Sequence, residues 1–192
     1  MPKLGMEPIR RDALVKATIA EIGEAGTLDV TVSQIARRAG MSSALAHHYF
    51  GSKEQMLVAA MRHILSIFGA EVRGALIMAR TPEDRIEAVV RASFSSQNFR
   101  PATAAAWLNF YMQAQTSPQT RRLLTVYHQR LRSNLTHGFR PLVADPQTAA
   151  ETVGALIDGV YLRQVLRPDV MGNAEAVELV LSAVRRLTGA GA

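Results

Sequence analysis

The spacing of apolar residues predicts a chain built from helices. In the segment 32–39, apolar side chains recur at i, i+3, i+4 and i+7, which places them on one side of a short helix. Stretches that alternate apolar and polar residues with β-branched enrichment, typical of strands, are almost absent. The pattern predicts nine helices over about residues 8–25, 32–39, 43–50, 53–79, 82–98, 101–115, 118–140, 146–167 and 173–188.

The predicted helix ends are marked by capping residues and glycines. A capping residue followed by proline opens three later helices, at Thr81-Pro82, Ser117-Pro118 and Asp145-Pro146. Thr31 with Gln34, and Ser52 with Gln55, have the spacing of capping boxes, in which side chain and backbone satisfy each other. These signals indicate where each helix begins more sharply than hydrophobic periodicity alone.

Residues 31–50 have the form of a helix-turn-helix. Two helices of about eight residues are joined by a short turn, in which Gly40 permits a positive φ, and Ser42 caps the second helix. Helices this short need tertiary support. The first helix is expected to provide it through Leu14, Val15, Thr18, Ile19 and Ile22.

The second helix of this motif leaves a small polar surface facing outward, formed by Ser43, Ala44, His47 and His48. Short hydroxyl and methyl groups allow close approach to base edges, and imidazole or phenol groups can bind bases or phosphates. The predicted DNA-binding residues are Thr31, Ser42, Ser43, Ala44, His47, His48, Tyr49 and Lys53. Arg37 and Arg38 are expected to add positive charge. The alternative is a solvated three-helix bundle that binds no nucleic acid.

Composition and charge narrow the function classes. Of 192 residues, 48% are hydrophobic and 20% charged, as in globular proteins, and 22 basic against 16 acidic residues give a net charge of +6. Such an excess suggests a polyanionic partner but does not establish one. No apolar run reaches the ~18 residues of a membrane span, and residues 1–5 lack the apolar region of a signal peptide. We therefore expect a cytoplasmic protein without membrane association.

Catalytic and metal chemistry find little support in the sequence. The absence of cysteine excludes disulfides, thiolate nucleophiles and cysteine metal sites. No nucleophile elbow, P-loop, HExxH or dinucleotide fingerprint is present. His47 and His48 are adjacent, but neighbouring helical side chains point about 100° apart, which disfavours a shared metal. We predict no enzyme activity, no metal and no cofactor.

The rear of the chain offers candidates for dimerisation. The predicted helices over 146–167 and 173–188 are too apolar for a solvated surface, and small residues such as Gly154 and Gly159 allow close approach. A homodimer through these two helices would place two recognition helices about 34–36 Å apart, one turn of duplex DNA. The alternative is that both helices belong to an ordinary intrachain core.

Aromatic residues on the sixth helix suggest a binding site for an organic cation. Trp107, Phe110 and Tyr111 lie together on it, and aromatic ring faces attract cations. Asp158, inside an apolar run with Tyr161 close by, is the candidate carboxylate. The alternatives are that the rings are core residues, and that Asp158 forms an ion pair with Arg163 or another arginine.

The domain organisation follows from these features. Residues 1–52 are predicted to form a DNA-binding domain, and residues 53–192 a ligand-binding and dimerisation domain. The fourth helix is expected to join the two mechanically.

The front of the chain resembles the TetR family of bacterial repressors. The matching residues are Leu14, Thr31, Ile35, Ala36, Ala39-Gly40, Ser42, Phe50, Lys53 and Glu54. More narrowly, the opening MPKLGM–IRR, the run QIARRAG, His48-Tyr49-Phe50, AWL–F at 106–110, SNL at 133–135 and ALIDGVYLR at 155–163 resemble members that respond to choline and control glycine betaine synthesis.

This resemblance implies an all-helical repressor of nine helices that dimerises through helices 8 and 9. It implies binding to a palindromic operator, repression of genes for choline uptake and oxidation, and release by choline. The chain differs from the usual family pattern at Ala44, His47 and Tyr49, where glycine, tyrosine and histidine are common, so the operator sequence is not implied. A repressor of the same class tuned to another cationic or apolar compound, and a ligand-independent architectural DNA binder, are the alternatives.

Overall fold

The computed structural model describes residues 5–189, and this part of the chain is all-α, as predicted. It contains nine helices: α1 (Met6–Ala25), α2 (Val32–Arg38), α3 (Ser43–Phe50), α4 (Lys53–Met78), α5 (Pro82–Ser93), α6 (Pro101–Gln113), α7 (Pro118–Phe139), α8 (Pro146–Leu166) and α9 (Asn173–Thr188). Residues 1–4, with most of the MPKLGM run, and residues 190–192 lie outside the described residues. None of the described helices is long and apolar enough to cross a membrane.

The chain forms two compact units that share two helices. The first unit extends to Ser66 and also includes Arg100–Leu124, whereas the second comprises Ile67–Phe99 and the residues from Thr125 onward. Both α4 and α7 therefore contribute one part to each unit. The predicted domain boundary between residues 52 and 53 divides the chain by expected function, whereas the two units are defined by packing. This boundary stays a prediction.

The first unit is organised around α1, which packs against α2 and α6, while α2 packs against α3. Leu14, Ile35 and Ala46, which the sequence pattern assigned to its core, are buried, whereas Ile19, Val32 and Ala39 are half-buried. Thr18 is buried as well, and its hydroxyl donates a hydrogen bond of 2.8 Å to the carbonyl of Leu14. The predicted three-way support of the short helices is therefore present.

Gly23 fixes the close approach of α1 and α6. A Cβ atom at this position would lie 2.5 Å from the Cα of Ala102, a distance that no side chain tolerates. Sequence periodicity did not predict this contact, because nothing local to either helix indicates which partner it packs against.

The second unit is built on α5, α8 and α9, with α9 packed against both α5 and α8. Its buried apolar side chains include Ile86, Val89, Val90, Leu135, Phe139, Val153, Ile157, Val160, Ala176, Val180 and Val184. Gly138 of α7 lies against α5, where a Cβ would meet the Cγ1 of Ile86 at 2.6 Å. One face of α8 and one of α9 thus form intrachain core, as the alternative interpretation expected.

Helix α5 ends at Ser93, five residues before the predicted end, so that prediction was wrong. The side-chain amide of buried Asn98 donates to the carbonyls of Ala92 and Ser93 at 3.1 and 3.2 Å. The last carbonyls of a helix have no partner within the helix, and the Asn98 amide binds two of them, that of Ala92 together with the backbone N–H of Ser95. An asparagine side chain that competes for backbone groups in this way stops a helix that hydrophobic periodicity would continue.

Candidate nucleic-acid interface and effector residues

The turn between α2 and α3 has the geometry that the sequence predicted. The Thr31 side chain accepts a hydrogen bond from the backbone of Gln34, and the Gln34 side chain accepts one from the backbone of Thr31 at 2.7 Å, which completes the capping box. Gly40 has a φ of 67°, and Ser42 caps α3 by accepting from the backbone N–H of Leu45 at 3.2 Å. The oxygens of Thr31 and Ser42 thus already have partners at the two helix starts.

The outward face of α3 is formed as predicted. Ala44, His47 and His48 are exposed, and Ser43 is half-buried. The hydroxyl of Ser43 lies 3.1 Å from that of Ser33 on α2, so the two share a hydrogen bond. This contact joins the first turn of α3 to α2 and limits the freedom of the Ser43 side chain.

His47 has a defined ring orientation. Its Nδ1 lies 3.1 Å from the backbone carbonyl oxygen of Gly51, which can only accept a hydrogen bond. Nδ1 must therefore carry the proton of this bond. In the neutral ring, Nε2 is then left as an acceptor. An acceptor can recognise the exocyclic amino groups of cytosine or adenine in the major groove.

Tyr49 is half-buried, unlike the exposed His47 and His48 before it. Its hydroxyl oxygen accepts a hydrogen bond from Nη1 of Arg10 at 3.4 Å, and the guanidinium of Arg11 lies 5.7 Å from its ring centroid. Both arginines belong to α1 and are not among the predicted DNA-binding residues. Because almost 40 residues separate these arginines from Tyr49, no local pattern indicates the contacts. The two adjacent arginines near the start of α1 are nevertheless visible in the sequence.

Lys53 is the first residue of α4 and is half-exposed. Ser52 accepts from the backbone of Gln55 at 3.2 Å, as the predicted capping box requires. The reciprocal half of that prediction was wrong, because the amide of Gln55 donates instead to Gln119 at 3.2 Å and the backbone N–H of Ser52 donates to Phe50. Lys53 still lies at a helix start, where backbone N–H groups and an ammonium can bind one phosphate together.

Two acidic side chains of α1 offset part of the positive charge that was expected on α2. Arg37 is exposed, whereas Arg38 forms ion pairs with Glu21, at 2.5 Å, and with Glu24. The prediction that both arginines add net charge to the surface was therefore wrong for Arg38. Its guanidinium is used to hold α2 against α1.

The three aromatic residues of α6 lie together in the first unit. The Trp107 ring centroid is 5.7 Å from those of both Phe110 and Tyr111. Trp107 and Phe110 are buried, and Tyr111 is half-buried. The spacing that predicted an aromatic cluster is thus confirmed, and the cluster also contributes to the core.

Asp158 lies in the second unit, where it has two partners on α7. Its Oδ1 accepts a hydrogen bond from the hydroxyl of Tyr127 at 2.9 Å, and its Oδ2 lies 3.3 Å from Nε2 of His128. The hydrogen bond to Asp158 raises the pKa of His128, and the negative charges of Asp158 and Glu151 add to this effect. The ion-pair alternative therefore holds for Asp158, but its partner is His128 on α7 and not the expected arginine.

Tyr161 also lies in the second unit and is half-buried. Its hydroxyl donates to the carbonyl of Asn98 at 2.9 Å, and its ring lies 5.0 Å from that of Phe99. Burial raises the pKa of the Tyr161 phenol. Through its hydroxyl and its ring, Tyr161 joins α8 to the segment that follows α5.

The outer faces of α8 and α9 carry a second set of apolar residues. Leu162 and Leu166 on α8, together with Leu179 and Leu187 on α9, are exposed, and Ala155 and Gly159 continue the α8 stripe at helical spacing. Exposed apolar stripes of this kind mark interaction surfaces.

Within residues 5–189, no group of three or more histidine and acidic side chains is arranged to hold a metal ion.

Comparison with known families matches both parts of the chain. Residues 14–60 match the model of the bacterial regulatory proteins of the tetR family, and residues 82–189 match the C-terminal domain of BetI-type transcriptional repressors. The second match alone covers more than half of the chain.

Individual relatives agree with these matches. The chain is 53% identical over 169 residues to the HTH-type transcriptional regulator BetI of Rhizobium meliloti, covering 87% of this chain and 83% of that protein. It is 48% identical over 182 residues to BetI of Brucella anthropi, covering 94% of each. A transcriptional regulator from Saccharomonospora viridis, solved in complex with choline, shares the fold with a TM-score of 0.78 at 19% identity, covering 91% of this chain and 95% of that one.

Proposed function

Because the chain belongs to the TetR family and is a DNA-binding transcriptional repressor with a BetI-type C-terminal domain, we propose that it represses genes for choline uptake and for oxidation of choline to glycine betaine. Its relatives are named regulators rather than enzymes, and regulators of this family are generally dimeric. The observation that carries the proposal is the combination, in one chain, of a capped and exposed α3 with the BetI-type domain. In this proposal the repressor acts in the cytoplasm, on a palindromic operator.

The DNA-binding part of the proposal rests on α3. Ser43, Ala44 and His47 form a surface with short side chains and one oriented imidazole, which suits the edges of bases in a major groove. Lys53 and the start of α4 bind a phosphate beside it. Thr31, Ser42 and Tyr49 support the surface through the hydrogen bonds described above.

The dimer is proposed to form through the outer faces of α8 and α9. Leu162, Leu166, Leu179 and Leu187 are exposed in the single chain, and a second copy would bury them around a two-fold axis. Such a dimer presents two α3 helices to one operator, with a separation of about one turn of duplex.

The proposed effector is choline, which carries a quaternary ammonium group and a hydroxyl. The candidate effector residues form two sets: Trp107, Phe110 and Tyr111 on α6 in the first unit, and Asp158 and Tyr161 on α8 in the second unit. Aromatic faces supply about 0.5–2 kcal/mol each toward a desolvated cation. The choline complex of the Saccharomonospora viridis regulator supports the proposal only to the extent that a protein of this fold can bind choline.

Release from the operator requires that choline prefer one arrangement of the protein over another. We place the change at α4, which contributes to both packing units. Asp158 contacts Tyr127 and His128, so a cation that binds this carboxylate competes with the His128 proton. A ligand that binds both arrangements equally would leave operator binding unchanged.

The test is a DNA-binding titration with a duplex enriched from a random pool by the wild-type dimer, a sequence that the proposal expects upstream of genes for choline oxidation. Choline is expected to release the dimer, and glycine betaine, tetramethylammonium and an apolar alcohol are the comparison compounds. Asp158→Asn should keep operator binding and weaken the choline effect at least tenfold, ~1.4 kcal/mol. Asp169→Asn, at an exposed position, is the control and should leave both operator binding and the choline effect unchanged.

Other outcomes of this titration have defined meanings. Release by another compound and not by choline would identify a repressor of the same class with a different effector. Equal affinity for operator and random duplex would identify an architectural DNA binder. An unchanged choline response in Asp158→Asn would remove Asp158 from the effector residues.

A further inference from the structure

The C-terminal turn of α3 is held by the start of α1 through a cation and two aromatic rings. The guanidinium carbon of Arg11 lies 5.7 Å from the ring centroid of Tyr49 and 5.1 Å from that of Phe50. A guanidinium within about 6 Å of an aromatic face is attracted by the negative charge density of the ring. Arg11 therefore contacts two successive residues of the helix that is proposed to enter the major groove.

Arg11 is itself fixed in this position. Its Nε donates a hydrogen bond of 2.9 Å to Oε1 of Glu7, one turn earlier on α1. Beside it, Arg10 donates to the hydroxyl oxygen of Tyr49 at 3.4 Å. The Tyr49 side chain is thus contacted by α1 at both its ring and its hydroxyl group.

The position of Tyr49 bears directly on the outward face of α3. The ring of His48 meets the ring of Tyr49 edge-on, with centroids 5.5 Å apart. Helix α3 has only eight residues, and a helix of this length owes its orientation to tertiary contacts. Its first turn is joined to α2 through Ser33 and Ser43, and its last turn to α1 through Arg11.

We propose that Arg11 is a positioning residue for operator recognition, which acts through Tyr49 and Phe50 to orient α3 rather than by contacting DNA. The proposal rests on the assignment of α3 as the DNA-reading helix. It separates Arg11 from Lys53, whose proposed role is to bind phosphate.

The experiment compares two duplexes of equal length: one enriched from a random pool by the wild-type dimer, and one of random sequence. The variants are Arg11→Met, Arg11→Lys, Tyr49→Leu and the double variant Arg11→Met/Tyr49→Leu. Lys16→Met is the matched control, because Lys16 forms an i,i+4 ion pair with Asp12 on α1, as Arg11 does with Glu7. Thermal unfolding by circular dichroism establishes that each variant is folded at the assay temperature.

Arg11→Met is expected to lose about tenfold in affinity for the enriched duplex and less than twofold for the random one. Its salt slope should equal that of Lys16→Met, and Arg11→Lys should recover only part of the loss, because an ammonium lacks the planar guanidinium. Arg11→Met and Tyr49→Leu should be non-additive, since each removes the same contact.

Two results would overturn the proposed role of Arg11 and leave the proposed DNA surface in place. The first is an equal loss on both duplexes, with a salt slope lower than in Lys16→Met by about one per half-site, which is the signature of a phosphate contact. The second is additivity of the Arg11 and Tyr49 variants. If the wild-type dimer enriched no duplex over random DNA, the proposed DNA surface would fail, and the role of Arg11 with it.

Discussion

Nε2 of His128 on α7 lies 3.3 Å from Oδ2 of Asp158 on α8, and this pair connects two helices of the second unit. The hydrogen bond and the charge of Asp158 raise the pKa of His128. Arg132 on α7 and Glu151 on α8 line the same groove, so the pair lies among charges of both signs. The carboxylate that the sequence suggested for a ligand is therefore already paired with a histidine whose pKa it raises.

This pair predicts a pH dependence of stability. A histidine whose pKa is higher in the folded protein adds stability below its unfolded pKa, about 6.5, and this contribution is lost as pH rises through the folded pKa. Because the His128 side chain is about half-exposed, the contribution is at most ~1 kcal/mol. Asp158→Asn should remove it, so the difference in free energy of unfolding between wild type and variant should shrink from pH 6 to pH 8.

Chemical denaturation at several pH values measures this difference. His128→Gln, which cannot be protonated, is the matched control and should show the same flattened profile as Asp158→Asn. Parallel profiles for wild type and Asp158→Asn over this range would contradict the contribution of the pair.

The orientation of His47 predicts a specific base preference. His47→Leu should weaken binding to the enriched duplex by about 1 kcal/mol, near fivefold, because the Nε2 acceptor is lost. His47→Gln should restore part of the affinity, since its amide oxygen can take the place of Nε2. Fluorescence anisotropy with single-position duplex variants should confine the effect to one cytosine or adenine per half-site. A loss spread evenly over all duplexes would indicate a phosphate contact instead.

The start of α4 predicts a sequence-independent contribution from Lys53. Lys53→Ala should weaken binding similarly on enriched and random duplexes and lower the salt slope by about one per half-site. Lys16→Ala on α1 is the control, because it removes the same charge from a side chain that pairs with Asp12. Titrations at several salt concentrations measure both slopes, and a loss on the enriched duplex alone would refute the phosphate role.

The outer faces of α8 and α9 predict where the dimer forms. Leu166 is 63% exposed in the single chain, and Leu166→Glu should raise the dimer dissociation constant at least tenfold, ~1.4 kcal/mol, by placing a charge in an apolar interface. Ile77 at the end of α4 is 82% exposed, and Ile77→Glu should leave the dimer intact. Sedimentation velocity distinguishes these outcomes. If the Ile77 variant dissociated and the Leu166 variant did not, the interface would lie away from α8.

Much of the fold was predictable because its local signals are strong. The caps at Thr31, Ser42 and Thr81 and the turn at Gly40 act within four residues, and the structure has them as predicted. The end of α5 was missed because it depends on the side chain of Asn98, which lies beyond the helix. Hydrophobic periodicity within a helix does not indicate a hydrogen bond from a side chain that lies beyond its end.

The candidate site was only partly predictable. The exposed face of α3 follows from helical spacing, since its residues share one side of a helix whose other side is apolar. The partners of Arg38, Asp158 and Tyr49 lie on other helices, at separations of 14 to 39 residues. Contacts of this range depend on how helices pack, and the sequence pattern leaves them open.

The most direct test of the assignment of α3 to the major groove is methylation protection of the enriched duplex by the wild-type dimer, because dimethyl sulfate modifies guanine N7 in that groove. We expect two protected clusters about one helical turn apart, both of which are lost when Ser43, Ala44 and His47 are replaced together by glutamate. Full protection in that triple variant, or an absence of protection by wild-type dimer bound at saturation, would contradict the assignment of α3 to the major groove.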